Sequence, residues 1–305
     1  MWSFKLEAKN SLRTKKFWLT IVLISLVYVI AFREIKDNLK ATTNLQGVLT
    51  FSLIGYILAS AFLFIGLYVL ILGATSINGD LENGTVQISL SKPVNRIQYL
   101  IGKFLGQFVS IIVALLFATL LSLVITRYYS ISITVKIISD LTIANALTLL
   151  SMLQLLALGL LISTFIRSQN TAISVVLILF LVTGLVAPQI VDSMAKDRAR
   201  EEFHIKTPED AMKMPVEERN KYHQRQIELQ KEYHLRYLFY IPQVLLEDIV
   251  IDMQRTTFIK GKIRTEYIRA WDAIKNNPLR VSLLVGLTLV YLIMAVFRFV
   301  RMDLR

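Results

Sequence analysis

The stretch SQNTAISVVLILFLVTGLVAPQIV, Ser168 to Val191, contains no Asp, Glu, Lys or Arg. Such a run is long enough to cross the hydrocarbon core of a bilayer as one helix. Five further runs share the property: Phe17 to Phe32, Gly47 to Gly79, Phe104 to Thr126, Leu141 to Ile166 and Val281 to Phe297. A single run of this kind is also compatible with the core helix of a soluble domain, but six in one chain are not. Composition agrees, with 54% hydrophobic against 18% charged residues and a mean hydropathy of +0.55. The expectation is an all-α integral membrane protein with six transmembrane helices, residing in the plasma or cytoplasmic membrane.

Short basic segments flanking a span are retained on the cytoplasmic side. Lys5, Lys9, Arg13, Lys15 and Lys16 precede the first run, and Arg298, Arg301 and Arg305 follow the last. An even number of crossings places both termini in the cytoplasm. The segments carrying Lys92, Arg96 and Lys103, and the turn carrying Arg167, then face the same side, against Arg33, Lys36, Lys40, Arg127 and Lys136 opposite.

The net charge of +12 is distributed in a way that argues against nucleic-acid binding. Between Ile190 and Arg280 there are 17 basic and 15 acidic residues, leaving +10 in tails and short loops beside the membrane. That placement suits anionic lipid. With no cysteine, disulfides, thiolate metal sites and thiol nucleophiles are ruled out. The chain has no Gly-x-x-x-x-Gly-Lys-Ser/Thr loop, no His-Glu-x-x-His and no Gly-x-Ser-x-Gly. It therefore lacks a recognisable nucleotide cradle and the common hydrolase motifs, and no catalytic, cofactor or metal residue is assigned. Ion-coupled carriers usually place a charge inside a span despite its cost, and none is found here away from a span end.

The informative cytoplasmic stretch is GDLENGTVQISLSKPVNR, Gly79 to Arg96, continuing to Gly102-Lys103. Asp80 and Glu82 suit a helix N-terminus, and Pro93 breaks the run after them. Asn95 with Gln98 three residues on has the spacing of a capping box and opens the helix that enters the membrane near Lys103. The expectation is a bent elbow over residues 79–103.

With Glu82, Gly84, Thr85, Leu90, Pro93, Val94, Arg96, Gly102 and Lys103 in this order, the chain resembles the permease subunits of type-2 ATP-binding-cassette transporters. An amphipathic segment before the first span, Glu7-Ala8-Lys9 and Leu12-Arg13, is similar to the family's as well. The resemblance covers residues 1 to about 190 well and the last span loosely. It implies that the elbow is the coupling helix seated in a groove of an ATPase subunit, with Asp80, Glu82, Gly84, Thr85, Leu90, Pro93, Arg96 and Lys103 as its coupling residues. It also implies two cytoplasmic ATPase subunits carrying the ATP and Mg, and a second permease, either another copy of this chain or a sister. An exporter is the leading expectation. The alternative is a non-transporting scaffold or sensor that recruits an extracytoplasmic partner.

The organisation expected is residues 1–189 for the amphipathic helix and first five spans, 190–280 for a helical extracytoplasmic insertion between helices 5 and 6, and 281–305 for the last span and basic tail. Within the insertion, Thr207-Pro208-Glu209-Asp210 and Pro215-Val216-Glu217-Glu218 read as helix starts. Tyr222, Leu229, Tyr233, Tyr237 and Tyr240 form one amphipathic face. Val244, Leu245, Ile249 and Met253 form a second, and Ile263, Tyr267, Trp271 and Ile274 a third. His204, His223 and His234 are the only histidines. His223 and His234 lie about 16 Å apart on a straight helix and cannot share an ion, so all three are expected to be solvated. Neutral polar residues inside the runs, among them Ser52, Tyr56, Ser60, Asn145, Ser151, Gln154 and Thr183, are expected to bond between helices.

Overall fold

The computed structural model describes residues 2–39, 53–55, 57–59, 61–84, 95–128, 133–205, 210, 214–259 and 262–302, of which 2–3, 28–29, 31–39, 125, 254–259 and 262–266 are described by backbone alone. Thr85, Leu90 and Pro93 of the expected elbow, the start at Thr207 to Glu209, and Ser52, Tyr56 and Ser60 lie outside the described residues.

The described residues are helical apart from one hairpin. Helices α1 (Trp2–Arg13) and α2 (Lys15–Leu39) come first, and the run Phe17 to Phe32 lies within α2. Next come α3 (Leu53–Ala74), α4 (Asn78–Glu82), α5 (Arg96–Tyr128), α6 (Val135–Phe165) and α7 (Gln169–Glu202). Helices α8 (Val216–Tyr237) and α9 (Pro242–Ile251) precede strands β1 (Gln254–Ile259) and β2 (Lys262–Tyr267), and α10 (Ala270–Asn276) and α11 (Pro278–Arg301) close the sequence. Among the described residues, five helices are long and apolar enough to cross a membrane: α3, α5, α6, α7 and α11. Single π-helical turns interrupt α3 at Ala61–Gly66 and α7 at Val182–Val186.

Several hydroxyl side chains in these helices bond back to their own backbone, as an apolar solvent favours. Thr119, Thr148 and Thr288 each return a hydroxyl hydrogen bond to the carbonyl four residues back, at 2.9, 2.8 and 2.6 Å. Asn145 bonds to the Leu141 carbonyl at 2.9 Å and accepts from Thr119 of α5 at 3.1 Å, so it does join neighbouring helices. Helices α3 and α6 cross at two glycines. A Cβ on Gly73 would stand 2.8 Å from the Leu156 carbonyl oxygen, and one on Gly159 would stand 2.7 Å from that of Leu70. Small residues at such a crossing let backbones approach where no hydrophobic effect drives association.

The chain divides into two compact units, residues 1–179 with 284–305, and residues 180–283. In the second unit, α8 returns antiparallel along the end of α7: Glu202 meets Arg225 at 2.8 Å, while Asp192 meets His234 at 2.9 Å. Ala195, Ala199, Ile205, Tyr222 and Leu229 form the core between them. The expected face on α8 is therefore buried at Tyr222 and Leu229 but has surfaced by Tyr237 and Tyr240, because the helix ends at Tyr237 and Pro242 opens α9.

The third expected helical face is corrected. Ile263 and Tyr267 lie on β2, which pairs antiparallel with β1 from Gln254↔Tyr267 to Ile259↔Lys262. Thr256, Thr257, Phe258, Ile259, Ile263 and Thr265 are β-branched or aromatic, and that local preference prevails over a spacing that mimics a helix.

Candidate coupling site

Helix α4 is a single short turned element after α3, and its exposed N–H groups need partners. Ser163 of α6 provides one: its hydroxyl accepts from the backbone N–H of Ile77 at 2.8 Å and of Asn78 at 3.2 Å. Asn78 also donates to the Ile166 carbonyl at 3.4 Å. At the other end of α4, Glu82 accepts from the Gln169 N–H at 2.8 Å and so caps the start of α7, where a carboxylate meets the positive end of the helix dipole. Gly84 follows with φ of +67°, a left-handed conformation that glycine adopts without steric cost.

Lys103 is buried one side-chain length from two carboxylates. Its ammonium lies 2.7 Å from Asp80 and 3.2 Å from Glu7, with the lysine side chain 7% exposed. The Tyr99 hydroxyl donates to Asp80, one turn before Lys103 on α5. Gln107, one turn after it, donates to Glu7 at 2.9 Å and to Ser76 at 3.0 Å. Between them, Gly106 lets α1 lie directly against α5, since a Cβ there would meet the Glu7 Cβ at 2.6 Å. Lys103, Gly106 and Gln107 thus form one face of α5 that clasps α1 on one side and the α3–α4 junction on the other.

The capping-box reading is realised in part: the Asn95 side chain accepts from Ile97 N–H at 3.3 Å, and the helix begins at Arg96. Arg96 itself turns to the far end of the sequence. Its guanidinium donates to the carbonyls of Val300 at 3.0 Å and Met302 at 2.9 Å, filling acceptors left open at the C-terminus of α11. Tyr99 stacks on Phe299 at 5.9 Å.

The structure therefore brings together Asp80 and Lys103, and ties Glu82 to α7 and Arg96 to α11. Gly84 touches nothing within 4 Å at the position a Cβ would take. Sequence reasoning passed over Glu7 as a site residue, and missed Tyr99, Gln107, Ser76 and Ser163. A polar residue on the one apolar-periodic face of α5, as Gln107 is, was the available signal.

A second polar cluster lies in the 180–283 unit. His234 is 1% exposed, so it is not the solvated histidine expected. Its Nδ1 is 2.7 Å from Asp248 and its Nε2 2.9 Å from Asp192. Arg280 donates to the other oxygen of Asp248 at 2.8 Å and to Asn277 at 2.9 Å, while Lys231 and Asn277 both reach Asp252. Burial works to lower the His234 pKa, but the hydrogen bonds and charges of Asp192 and Asp248 outweigh it and hold the imidazole up at about 9. Among the described residues, no group of three or more His, Asp or Glu side chains is placed to hold a metal ion.

A family model described as an ABC-2 family transporter protein matches residues 1–304, and the chain belongs to that family. The match extends through the region after Ile190 and the last span, further than the elbow motif reaches. No curated protein matches the chain. Membership makes the chain a multi-pass membrane permease, the non-catalytic part of a transporter whose ATP is hydrolysed by partner ATPase subunits.

Proposed function

We propose that this permease serves an ATP-driven exporter, crosses the membrane six times with both termini cytoplasmic, and receives the ATPase stroke at the elbow. The carrying observation is the Glu7–Lys103–Asp80 clasp. Through it α1, α4 and α5 are joined, and Ser163, Glu82 and Arg96 extend the connection to α6, α7 and α11. A push on α4 is therefore felt at the ends of five helices at once, which is what a rigid-body reorientation requires. The same contacts gather α1, the elbow, the 166–169 turn and the end of α11 at one end of the first unit, in keeping with the basic segments that flank them.

In this reading Asp80, Glu82, Gly84, Thr85, Leu90, Pro93, Arg96 and Lys103 form or support the ATPase contact. Two ATPase subunits serve a pair of permeases, and residues 190–280 stand on the extracytoplasmic side. The uncharged spans favour amphipathic or apolar cargo over ions.

The test is reconstitution with a co-encoded cassette ATPase. The complex should form, substrate should stimulate ATP turnover, and Gly84→Trp should abolish the stimulation without dissolving the membrane domain. Failure of the two proteins to associate would overturn it, and so would an assembled Gly84→Trp complex with unchanged stimulation. A scaffold would show ATP turnover with no transport into inverted vesicles. Sidedness is read separately: the natural chain has no cysteine, so Gln224→Cys should react with an impermeant maleimide on intact cells.

A further inference from the structure

Among the described residues of the 180–283 unit, the corner joining α8 to α9 carries three exposed aromatic side chains within four positions. Tyr237, Phe239 and Tyr240 are 42%, 42% and 39% exposed, and Phe239 and Tyr240 meet edge to face at 5.7 Å. Water-facing corners of soluble helix pairs are usually closed by small polar residues. Here the alternate residues Leu238 and Ile241 turn inward and lock the corner, packing with Val244 against Val191 and Ala187 of α7.

That attachment fixes the depth of the corner. Arg167 and Asp192 bracket 24 uncharged residues. They make about 36 Å of helix against a hydrocarbon core about 30 Å thick, so the last turn or so, ending at Val191, reaches the headgroup layer. The corner is packed on that turn. Beside it on α7, Leu185, Val186 and Ile190 are exposed and continue the lipid-facing surface of the span up to the same level. A second marker agrees: Asp248 of α9 binds both His234 and Arg280, and Arg280 immediately precedes the uncharged run Val281 to Phe297. The charges that end two crossings are thus held at one level by the helices that flank the corner.

The chemistry of the corner suits that layer. Tyr rings, with Trp, make up the belts that membrane proteins place between headgroups and acyl chains, and a Phe beside them faces the acyl side. The exposed Arg236 guanidinium sits 5.5 Å over the Tyr237 ring, where it can meet a lipid phosphate while its stem covers apolar surface.

We propose that residues 236–241 are a bilayer foot: Tyr237, Phe239 and Tyr240 sit in the headgroup–acyl boundary, with Arg236 on phospholipid phosphate. The proposal rests on the reading of α7 as a span, but not on which leaflet its second end reaches.

The test uses the full chain in phosphatidylcholine nanodiscs, with Trp2, Trp18 and Trp271 replaced by Phe and a single reporter introduced as Phe239→Trp, or independently Tyr240→Trp. Gln224→Trp, exposed and more than three turns back along α8, is the water-facing control. Corner reporters should emit to the blue of the control and be quenched at least about twofold more by lipids brominated near the headgroup than by those brominated near the chain ends. Emission as red as the control with no bromolipid quenching from either reporter would overturn the proposal. So would quenching strongest from the chain ends, or shielding from both bromolipid and aqueous iodide, which would mean that protein, such as a second copy, covers the corner. Bromolipid occupies both leaflets, so a wrong topology leaves this result unchanged and shows only in the Gln224→Cys labelling.

Discussion

Raising the pH should loosen the 180–283 unit chiefly through one residue. The folded-state pKa of His234, about 9, lies above the ordinary value of 6.5, so the folded form binds its proton more tightly than the unfolded form does. The stabilisation is whole below pH 6.5, declines as pH rises, and is gone above about 9. At about 1.36 kcal/mol for each pKa unit, the full loss is on the order of 3 kcal/mol. Glu247 contributes in the same direction, since burial, opposed by its bond to Gln243, raises its carboxyl pKa. A His234→Gln variant removes the imidazole and with it the positive charge that draws the Glu247 pKa down, so whatever pH dependence it keeps belongs to Glu247.

The assay is hydrogen exchange of peptides spanning 187–202 and 228–251, corrected for intrinsic base catalysis. Protection in the natural chain should fall by roughly two decades between pH 6.5 and 9, and in His234→Gln it should start lower and change little. Equal slopes in the two proteins, or protection that rises through the window, would refute the assignment of a buried imidazolium.

Other perturbations test the first unit. Lys103→Met leaves Glu7 and Asp80 without their cation and should cost about 3–5 kcal/mol, seen as lost monodispersity or a lowered Tm in detergent. Gly73→Leu should overpack the α3–α6 crossing by at least about 1–3 kcal/mol, whereas Gly286→Leu, with nothing within 4 Å of the new Cβ, should leave the Tm unchanged. Gly106→Leu should displace α1 from α5, so that protease reaches the N-terminal segment in otherwise intact membranes. Gly84→Ala should cost about 1–2 kcal/mol from its left-handed backbone alone, with Gly84→Asn costing less.

What the sequence made legible was local. Asn95 could be recognised as a cap because its partner is two residues away, and the apolar runs because charge is absent from each of them. Lys103 was singled out by an ordered motif and Asp80 by its place at a helix start, but the third member of their clasp, Glu7, lies 96 residues from Lys103 and leaves no periodic trace. His234 looked like one more polar residue on a charged helix. Its burial comes from Asp192, Asp248 and Arg280, which arrive on three other elements. The hairpin was hidden differently: Ile263, Tyr267, Trp271 and Ile274 recur at helical spacing, yet the strand-forming residues between them decide the local backbone.

The elbow both borrows and lends helix caps, and the borrowing runs against the direction of synthesis. Ile77 and Asn78 leave the ribosome more than eighty residues before Ser163, which accepts their N–H groups. Arg96 waits just over two hundred residues for the carbonyls of Val300 and Met302. A nascent chain therefore cannot complete this region early, however soon its segment is made. Under the coupling role proposed above, the ATPase contact would be complete only once the last helix is in place.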